Sequence, residues 1–136
     1  MHPALYKSGQ QTRTRLRQHP DLHSALKLWP SVFNAVTVLS NRETPYHRDN
    51  YSRPQWYDIL TTVGPYQSAM LDFPGIGVRL PYKSGTVVGL SGKILRHGVE
   101  HCEGESVCLA YYMRDKVHER MGVEAAQWMK QGYYSK

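Results

Sequence analysis

The organisation of this chain rests on two short stretches, Arg42-Glu43-Thr44-Pro45-Tyr46-His47-Arg48-Asp49-Asn50 and Leu95-Arg96-His97-Gly98-Val99. The first contains a His-x-Asp pair and the second contains a single histidine. Residues two apart on an extended strand point to the same face, so His47 and Asp49 can bind one ion while Arg48 points away. The sequence therefore predicts a metal site in which His47 and Asp49 are two of the ligands.

A third ligand from a neighbouring strand would complete the set. His97 continues an apolar alternation and precedes a glycine that leaves room beside an ion. His101 is the competing choice, but it lies in a polar turn with acidic neighbours. Two histidines and one carboxylate with open positions form the facial triad of non-haem Fe(II) oxygenases. We expect His47, Asp49 and His97 to bind one metal ion; the alternative is that they make only structural hydrogen bonds at strand ends.

The composition of the 136-residue chain, 40% hydrophobic and 21% charged, is that of a globular protein of one domain. No apolar run approaches the roughly 20 residues of a membrane helix, and a signal-peptide core is missing. Cys102 and Cys108 lack the spacing of a zinc ribbon, and we interpret them as reduced thiols. The sequence thus predicts a soluble intracellular protein, nuclear or cytoplasmic, with no membrane association.

Positive charge is concentrated at the N-terminus. Of the net charge of +6, residues 1–18 contribute +4 from Lys7, Arg13, Arg15 and Arg17 and contain no acid. Because this stretch is polar and shows no periodicity, we predict a basic arm at residues 1–20, followed by one domain at residues 21–136. Such an arm suits a nucleic acid partner through neutralisation of phosphates. The alternative is a solvated tail.

Short strands follow one another through most of the chain. They are rich in β-branched and aromatic residues and are separated by turn residues. The predicted strands are residues 32–39, 47–49, 55–63, 68–73, 77–81, 85–90, 92–98 and 106–113. Short helices are expected at residues 21–28 and around Ala125, Ala126, Trp128 and Met129. About eight strands at close spacing indicate a mainly β fold, a barrel or jelly roll.

The strand count and the order of the ligands resemble the 2-oxoglutarate and Fe(II)-dependent dioxygenases. The core of that superfamily is a double-stranded β-helix, a cupin-like jelly roll, with His-x-Asp on its second strand and the distal histidine on its seventh. A narrower similarity is to the TET/JBP branch of mushroom-forming fungi. It is carried by Asn41–Asp49, Trp56-Tyr57-Asp58, Gly85-Thr86-Val87, Leu95–Val99 and Tyr111–Arg114.

Animal and protist members of this branch oxidise the methyl group of 5-methylcytosine or thymine in nucleic acid. The resemblance therefore implies a dioxygenase with Fe(II) and 2-oxoglutarate as cofactors and a methylated nucleobase as substrate. It implies DNA as the partner, and we expect the chain to act as a monomer. Tyr46 and Asn50, which flank the His-x-Asp pair, are expected to contact the substrate.

One position departs from the family pattern. The family binds the far carboxylate of 2-oxoglutarate with an arginine at the start of the eighth strand, because a guanidinium matches a carboxylate. Here Ser106 occupies that position. Arg42 is the leading replacement, and Arg79 or Lys83 are alternatives. We expect Arg114 to lie too far away, about 26 Å from Ser106 at roughly 3.3 Å per residue. The competing hypothesis is a weakly active or inactive barrel that only binds nucleic acid or protein.

Overall fold

The structure, a computed structural model, describes residues 2–41, 43–100, 102–130 and 132. Within these residues the helices are α1 (Pro3–Leu16), α2 (Pro20–Leu28) and α3 (Asp115–Arg120). The strands are β1 (Ala35–Ser40), β2 (Thr44–His47), β3 (Asp58–Val63), β4 (Tyr66–Gln67), β5 (Met70–Phe73), β6 (Val78–Pro81), β7 (Val87–Leu90), β8 (His97–Val99), β9 (Glu103–Gly104) and β10 (Val107–Tyr112). Among the described helices, none is long and apolar enough to cross a membrane.

Two four-stranded antiparallel sheets form the body of the protein. One has the strand order β1-β10-β3-β7 and the other has the order β2-β8-β5-β6, while β4 and β9 pair separately. Apart from the paired strands β5 and β6, which lie in one sheet, the chain alternates between the two large sheets, which is the winding of a double-stranded β-helix. Leu71, Phe73 and Tyr82 are buried in the main apolar cluster. The predicted mainly β, jelly-roll fold is confirmed.

Each predicted strand overlaps an observed one, and the two-residue strands β4 and β9 are additional. The predicted seventh strand, residues 92–98, is much shorter than expected. Its first part is a turn, because the backbone N–H groups of Ile94 and Leu95 both donate to the carbonyl of Ser91. As a result, His97 is the first residue of β8 rather than near its end.

The N-terminal residues form a helix instead of an arm. The buried residues of α1 recur at helical spacing and are Leu5, Ser8, Gly9 and Thr12. Gly9 permits close packing, since a Cβ atom there would lie 2.6 Å from Met113 Cε and 2.7 Å from the carbonyl oxygen of Val32. The prediction of an aperiodic arm at residues 1–20 is therefore wrong for residues 3–16. Because most of these buried residues are small or polar, the sequence shows no apolar periodicity that would predict the helix.

The helix expected around Ala125–Met129 is also misplaced. The helix that follows the last strand is α3, and residues 123–130 form neither helix nor strand. Ala126 is buried, and its carbonyl accepts a hydrogen bond from Trp56 Nε1 at 3.0 Å. Residues 123–130 thus pack against the core without regular secondary structure, and the hydrogen bond from Trp56 helps to hold them there.

We predict that Trp56→Ala lowers the free energy of unfolding by about 3–5 kcal/mol, the usual cost of truncating a buried aromatic residue. The indole of Trp56 is 0% exposed and its centroid lies 4.8 Å from that of His118. Urea denaturation measures the change. Trp128 is 56% exposed, so the matched Trp128→Ala variant should lose less than about 0.5 kcal/mol. Equal losses in both variants would contradict the burial of Trp56 in the protein interior.

Candidate metal centre

The predicted ligands come together where β2 and β8 meet. His47 ends β2, His97 begins β8, and the two are direct partners in the antiparallel pairing. Their ring centroids are 4.4 Å apart. Asp49 follows β2, and its backbone N–H donates to the carbonyl of Gly92 at 2.9 Å. One atom from each of His47, Asp49 and His97 lies within 4.8 Å of the others, and no other such trio occurs in the described part of the chain.

Backbone carbonyls fix the orientation of both imidazoles. Nδ1 of His47 is 2.8 Å from the carbonyl oxygen of Pro45, and Nδ1 of His97 is 2.9 Å from that of Leu95. A carbonyl can only accept, so in each neutral ring Nδ1 carries the proton and Nε2 offers its lone pair. These Nε2 atoms lie 3.6 Å and 3.9 Å from the carboxylate oxygens of Asp49. Metal-binding histidines in proteins are commonly oriented by such hydrogen bonds from the nitrogen that does not bind the metal, and the three residues fit a metal ion.

The three ligands differ in exposure. The side chain of His97 is 5% exposed, whereas those of His47 and Asp49 are 40% and 42% exposed. Burial lowers the pKa of His97, which keeps its imidazole neutral and able to bind a metal. His97 is thus shielded from solvent, whereas solvent reaches His47 and Asp49.

Gly92 lies against two carboxylates. A Cβ atom at this position would be 2.1 Å from Asp49 Oδ2 and 2.6 Å from Asp58 Oδ2. The backbone N–H of Gly92 donates to Asp58 Oδ2 at 3.2 Å. Burial, and then the negative charge of Asp49, raise the pKa of Asp58 to about 7. Near neutral pH Asp58 is therefore partly protonated, which limits the negative charge beside the triad.

The triad opens into a pocket of about 520 Å³ between the two sheets, a volume suited to a small molecule. Asn50, Tyr51 and Arg114 contribute to its lining, together with the triad itself. Tyr82 and Cys108 also line it, with the Tyr82 hydroxyl 3.5 Å from Cys108 Sγ. Apolar side chains such as Leu39, Leu60 and Val99 make up much of the remaining wall.

Strand register shows how deep in this pocket the triad lies. Tyr111 of β10 pairs with Ile59 of β3, so the next pair is Tyr112 opposite Asp58. Asp58 and Asp49 are both hydrogen-bonded to Gly92, so the triad lies at about the same height along β10 as Tyr112. Cys108 is four residues earlier on the same strand, roughly 13 Å away. One end of the pocket is therefore the metal end and the other is the Tyr82 and Cys108 end.

Arg114 is part of the metal end. It lines the pocket, and its Nη2 donates to the Tyr112 hydroxyl at 3.1 Å. The centre of its guanidinium is 5.1 Å from the Tyr51 ring and 4.9 Å from the Tyr112 ring. The expectation that Arg114 lies too far from the pocket is wrong. The separation of about 26 Å is that between Arg114 and Ser106 along an extended strand. The triad, however, lies near the opposite end of β10 from Ser106.

Of the two residues predicted to contact the substrate, Asn50 and Tyr46, one lies in the pocket and the other does not. Asn50 lines the pocket, but Tyr46 does not. The Tyr46 hydroxyl donates to Asp72 Oδ2 at 3.1 Å, and the Arg96 guanidinium lies 5.7 Å from its ring centroid. The close approach of Tyr46 to Gly98, where a Cβ would meet Tyr46 Cδ1 at 2.7 Å, shows why glycine occurs there.

The predicted cosubstrate residues are also dispersed. Arg79 forms ion pairs with Asp72 and Glu100 and is not in the pocket lining. Ser106 is likewise outside the lining. Arg42 lies outside the described residues, as does His101, the alternative ligand.

Sequence reasoning missed the roles of Gly92 and Asp58 and misjudged Arg114. In the sequence, Asp58 stands out only as part of Trp56-Tyr57-Asp58, and a glycine in a turn gives no signal of what it contacts. Cys108 and Tyr112 on β10, and Arg114 two residues beyond its end, are separated by even numbers of residues and all line the pocket. This spacing predicts a role for Arg114 only when the position of the metal site along β10 is known.

A double-stranded β-helix with two histidines and a carboxylate at the mouth between its sheets defines the class of non-haem Fe(II) oxygenases. In agreement, residues 1–115 match the family model Tet_JBP, the oxygenase domain of the 2OGFeDO superfamily. The chain belongs to this family. The match includes α1 and α2, and membership implies Fe(II) and 2-oxoglutarate as cofactors. No curated protein matches the chain.

Proposed function

We propose that this chain is an Fe(II) and 2-oxoglutarate-dependent dioxygenase that oxidises a methylated nucleobase, of the 5-methylcytosine or thymine type, in DNA. The observation that carries the proposal is the convergence of His47, Asp49 and His97 at a pocket mouth in a chain of this family. Both imidazoles present Nε2 to the same small volume as the Asp49 carboxylate. The contacts of both rings with backbone carbonyls are made through Nδ1, so both Nε2 atoms remain on the side of the Asp49 carboxylate.

Fe(II) held by the triad, with 2-oxoglutarate, supplies oxidation by O2: a C–H bond becomes C–OH while 2-oxoglutarate becomes succinate and CO2. The residues of this chain orient the reactants. Pro45 and Leu95 hold the histidines through their carbonyls, and Gly92 positions Asp49 through its own carbonyl. The apolar wall excludes water from the pocket.

For the far carboxylate of 2-oxoglutarate we propose Arg42. Support comes from Asn41, the residue before it in the chain. The backbone N–H of Asn41 donates to the carbonyl of Ser106 at 2.9 Å, and Asn41 Oδ1 accepts from the Ser106 N–H at 2.7 Å. The segment leading to Arg42 is therefore fastened to the position at which the family pattern has its arginine. Arg79 is a weaker candidate because it is already paired with two acids.

For the substrate we propose the metal end of the pocket. Asn50 and Arg114 offer hydrogen-bond donors there, and Tyr51 and Tyr112 offer aromatic faces. Only one guanidinium bond of Arg114 is made within the described residues, so further donors remain for acceptor atoms of a base. A base in a duplex must be flipped out of the stack to reach such a pocket.

The test is turnover of a duplex oligonucleotide containing 5-methylcytosine, followed by mass spectrometry of the base and assay of succinate. We expect both products in equal amounts from the wild-type chain. Arg42→Ala should raise KM for 2-oxoglutarate about 10- to 100-fold, because a charged hydrogen bond is lost. Lys27→Ala, which removes an exposed cation outside the pocket lining, is the control and should leave KM unchanged. An unaltered KM in Arg42→Ala would place the anchor elsewhere.

The second candidate function is a weakly active or inactive barrel that binds nucleic acid or protein. Ser106 in place of the expected arginine is the observation that favours it. An inactive barrel of this kind, loaded with iron, would release no succinate with any methylated or thymine-containing oligonucleotide. Such a result would end the dioxygenase proposal.

A further inference from the structure

Two loops frame the mouth of the pocket, and we call residues 48–53 and 91–96 together the rim. Three hydrogen bonds join the loops. The Arg48 Nε donates to the carbonyl of Ile94 at 3.1 Å, and Lys93 Nζ donates to that of Asn50 at 2.9 Å. The third is the 2.9 Å bond from the Asp49 N–H to Gly92. The rim is therefore a fixed surface around the triad rather than two independent loops.

The charge of the rim is strongly positive. It carries four cations and a single acid, the metal ligand Asp49. Arg53 is paired with Asp115 at 2.6 Å. Arg48, Lys93 and Arg96 form no ion pair with an acidic residue in the described ranges, and Arg48 and Arg96 are exposed. Arg48 and Arg96 each adjoin a metal-binding histidine in sequence, so this charge lies beside the reaction site.

The N-terminal arginines also donate to backbone carbonyls, as Arg48 and Lys93 of the rim do, but their acceptors lie at the ends of helices. Arg13 donates to the carbonyl of Trp29, just after α2, and Arg17 donates to that of Leu26 in the last turn of α2. Arg15 donates to the carbonyls of Met121 and Gly122, just after α3. Cations near helix C-termini satisfy carbonyl groups and stabilise the helix dipole. These arginines therefore hold α1 and its neighbours together, and the N-terminal segment is a packed helix rather than a free arm.

The rim also presents apolar and aromatic surface among its cations. Tyr51 is 73% exposed and Ile94 is 44% exposed. Exposed aromatic faces interleaved with cations suit nucleic acid, whose bases stack while its phosphates pair with the cations.

We propose that Arg48, Lys93 and Arg96 contact the phosphates that flank the target base, so that the rim, and not the N-terminal segment, is the main nucleic acid surface. This inference rests on the proposed function for its choice of partner. Each phosphate contact contributes about 0.9 to the slope of log affinity against log salt on duplex DNA. The rim should therefore contribute about 2–3 to that slope.

The test is the salt dependence of binding of a fluorescently labelled DNA duplex by the metal-free chain. A triple variant, Arg48→Gln with Lys93→Gln and Arg96→Gln, should flatten the slope by about 2–3. A control of equal charge change, Lys7→Gln with Lys27→Gln and Lys130→Gln, alters exposed lysines away from the rim and should change it by less than about 1. Arg96→Gln alone, which breaks no bond within the rim, should flatten the slope by about 0.9 if the triple variant does not fold.

The outcomes separate this inference from the proposed function. A rim variant with the wild-type slope, or a wild-type chain that does not bind DNA, overturns the rim proposal even if 2-oxoglutarate is turned over. Preference for anionic lipid vesicles over DNA also overturns it. Rim-dependent DNA binding without any oxidised base supports the rim proposal while the dioxygenase proposal fails.

Discussion

Asp49→Ala is expected to remove stoichiometric Fe(II) binding, with an affinity loss of more than about 100-fold, since changes to outer-shell partners alone cost 10- to 100-fold. Asp49 is the one carboxylate of the triad, and its loss leaves two neutral imidazoles without a compensating negative charge. Anaerobic equilibrium dialysis against Fe(II) measures the effect. His47→Ala should behave in the same way, because it removes a ligand from the same site.

The control for these variants is Asp21→Ala, which removes an exposed acid from α2. It should bind iron as the wild-type chain does. Stoichiometric iron retained in both Asp49→Ala and His47→Ala would show that other residues are the ligands.

Gly92→Ala is expected to weaken Fe(II) binding by about 10- to 100-fold, although it removes no ligand. The new methyl group would require the space of Asp49 Oδ2 and Asp58 Oδ2, at 2.1 Å and 2.6 Å. Both carboxylates must then turn away, and the movement of Asp49 displaces a metal ligand. The same dialysis measures the loss, and thermal unfolding of the metal-free chain shows whether the fold is kept.

Gly75→Ala is the matched control for this change. A Cβ atom at Gly75 would meet nothing within 4 Å, so its iron affinity should equal that of the wild-type chain. If Gly92→Ala also binds iron normally, the carboxylate of Asp49 is not held where the metal needs it.

The fold and the ligands could be predicted from the sequence because both depend on local pattern. Alternation with a period of two identifies strands, and a His-x-Asp pair on a strand places two ligands on one face. His97 could be chosen over His101 for the same reason. Asp49 itself lies beyond the end of β2, and its position depends on a bond to Gly92 that no local pattern contains.

Other features depend on contacts between distant segments and left no local signal. α1 buries Ser8, Gly9 and Thr12, so its buried stripe has helical spacing without the apolar residues by which such stripes are detected. Arg114 reaches the metal end because Tyr112 is opposite Asp58, a matter of register between β10 and β3. The raised pKa of Asp58 likewise arises from burial and from Asp49, which is distant in sequence.

One measurement bears directly on whether this chain binds iron and a 2-oxo acid at the same site. The anaerobic wild-type chain is loaded with one equivalent of Fe(II) and titrated with 2-oxoglutarate while its visible spectrum is recorded. We predict a weak charge-transfer absorption that needs both components, saturates at one equivalent per chain and is missing in His97→Ala. A chain that contains iron but shows no such absorption, or the same absorption in His97→Ala, would contradict the assignment of His47, Asp49 and His97 as the iron site of a 2-oxoglutarate-dependent dioxygenase.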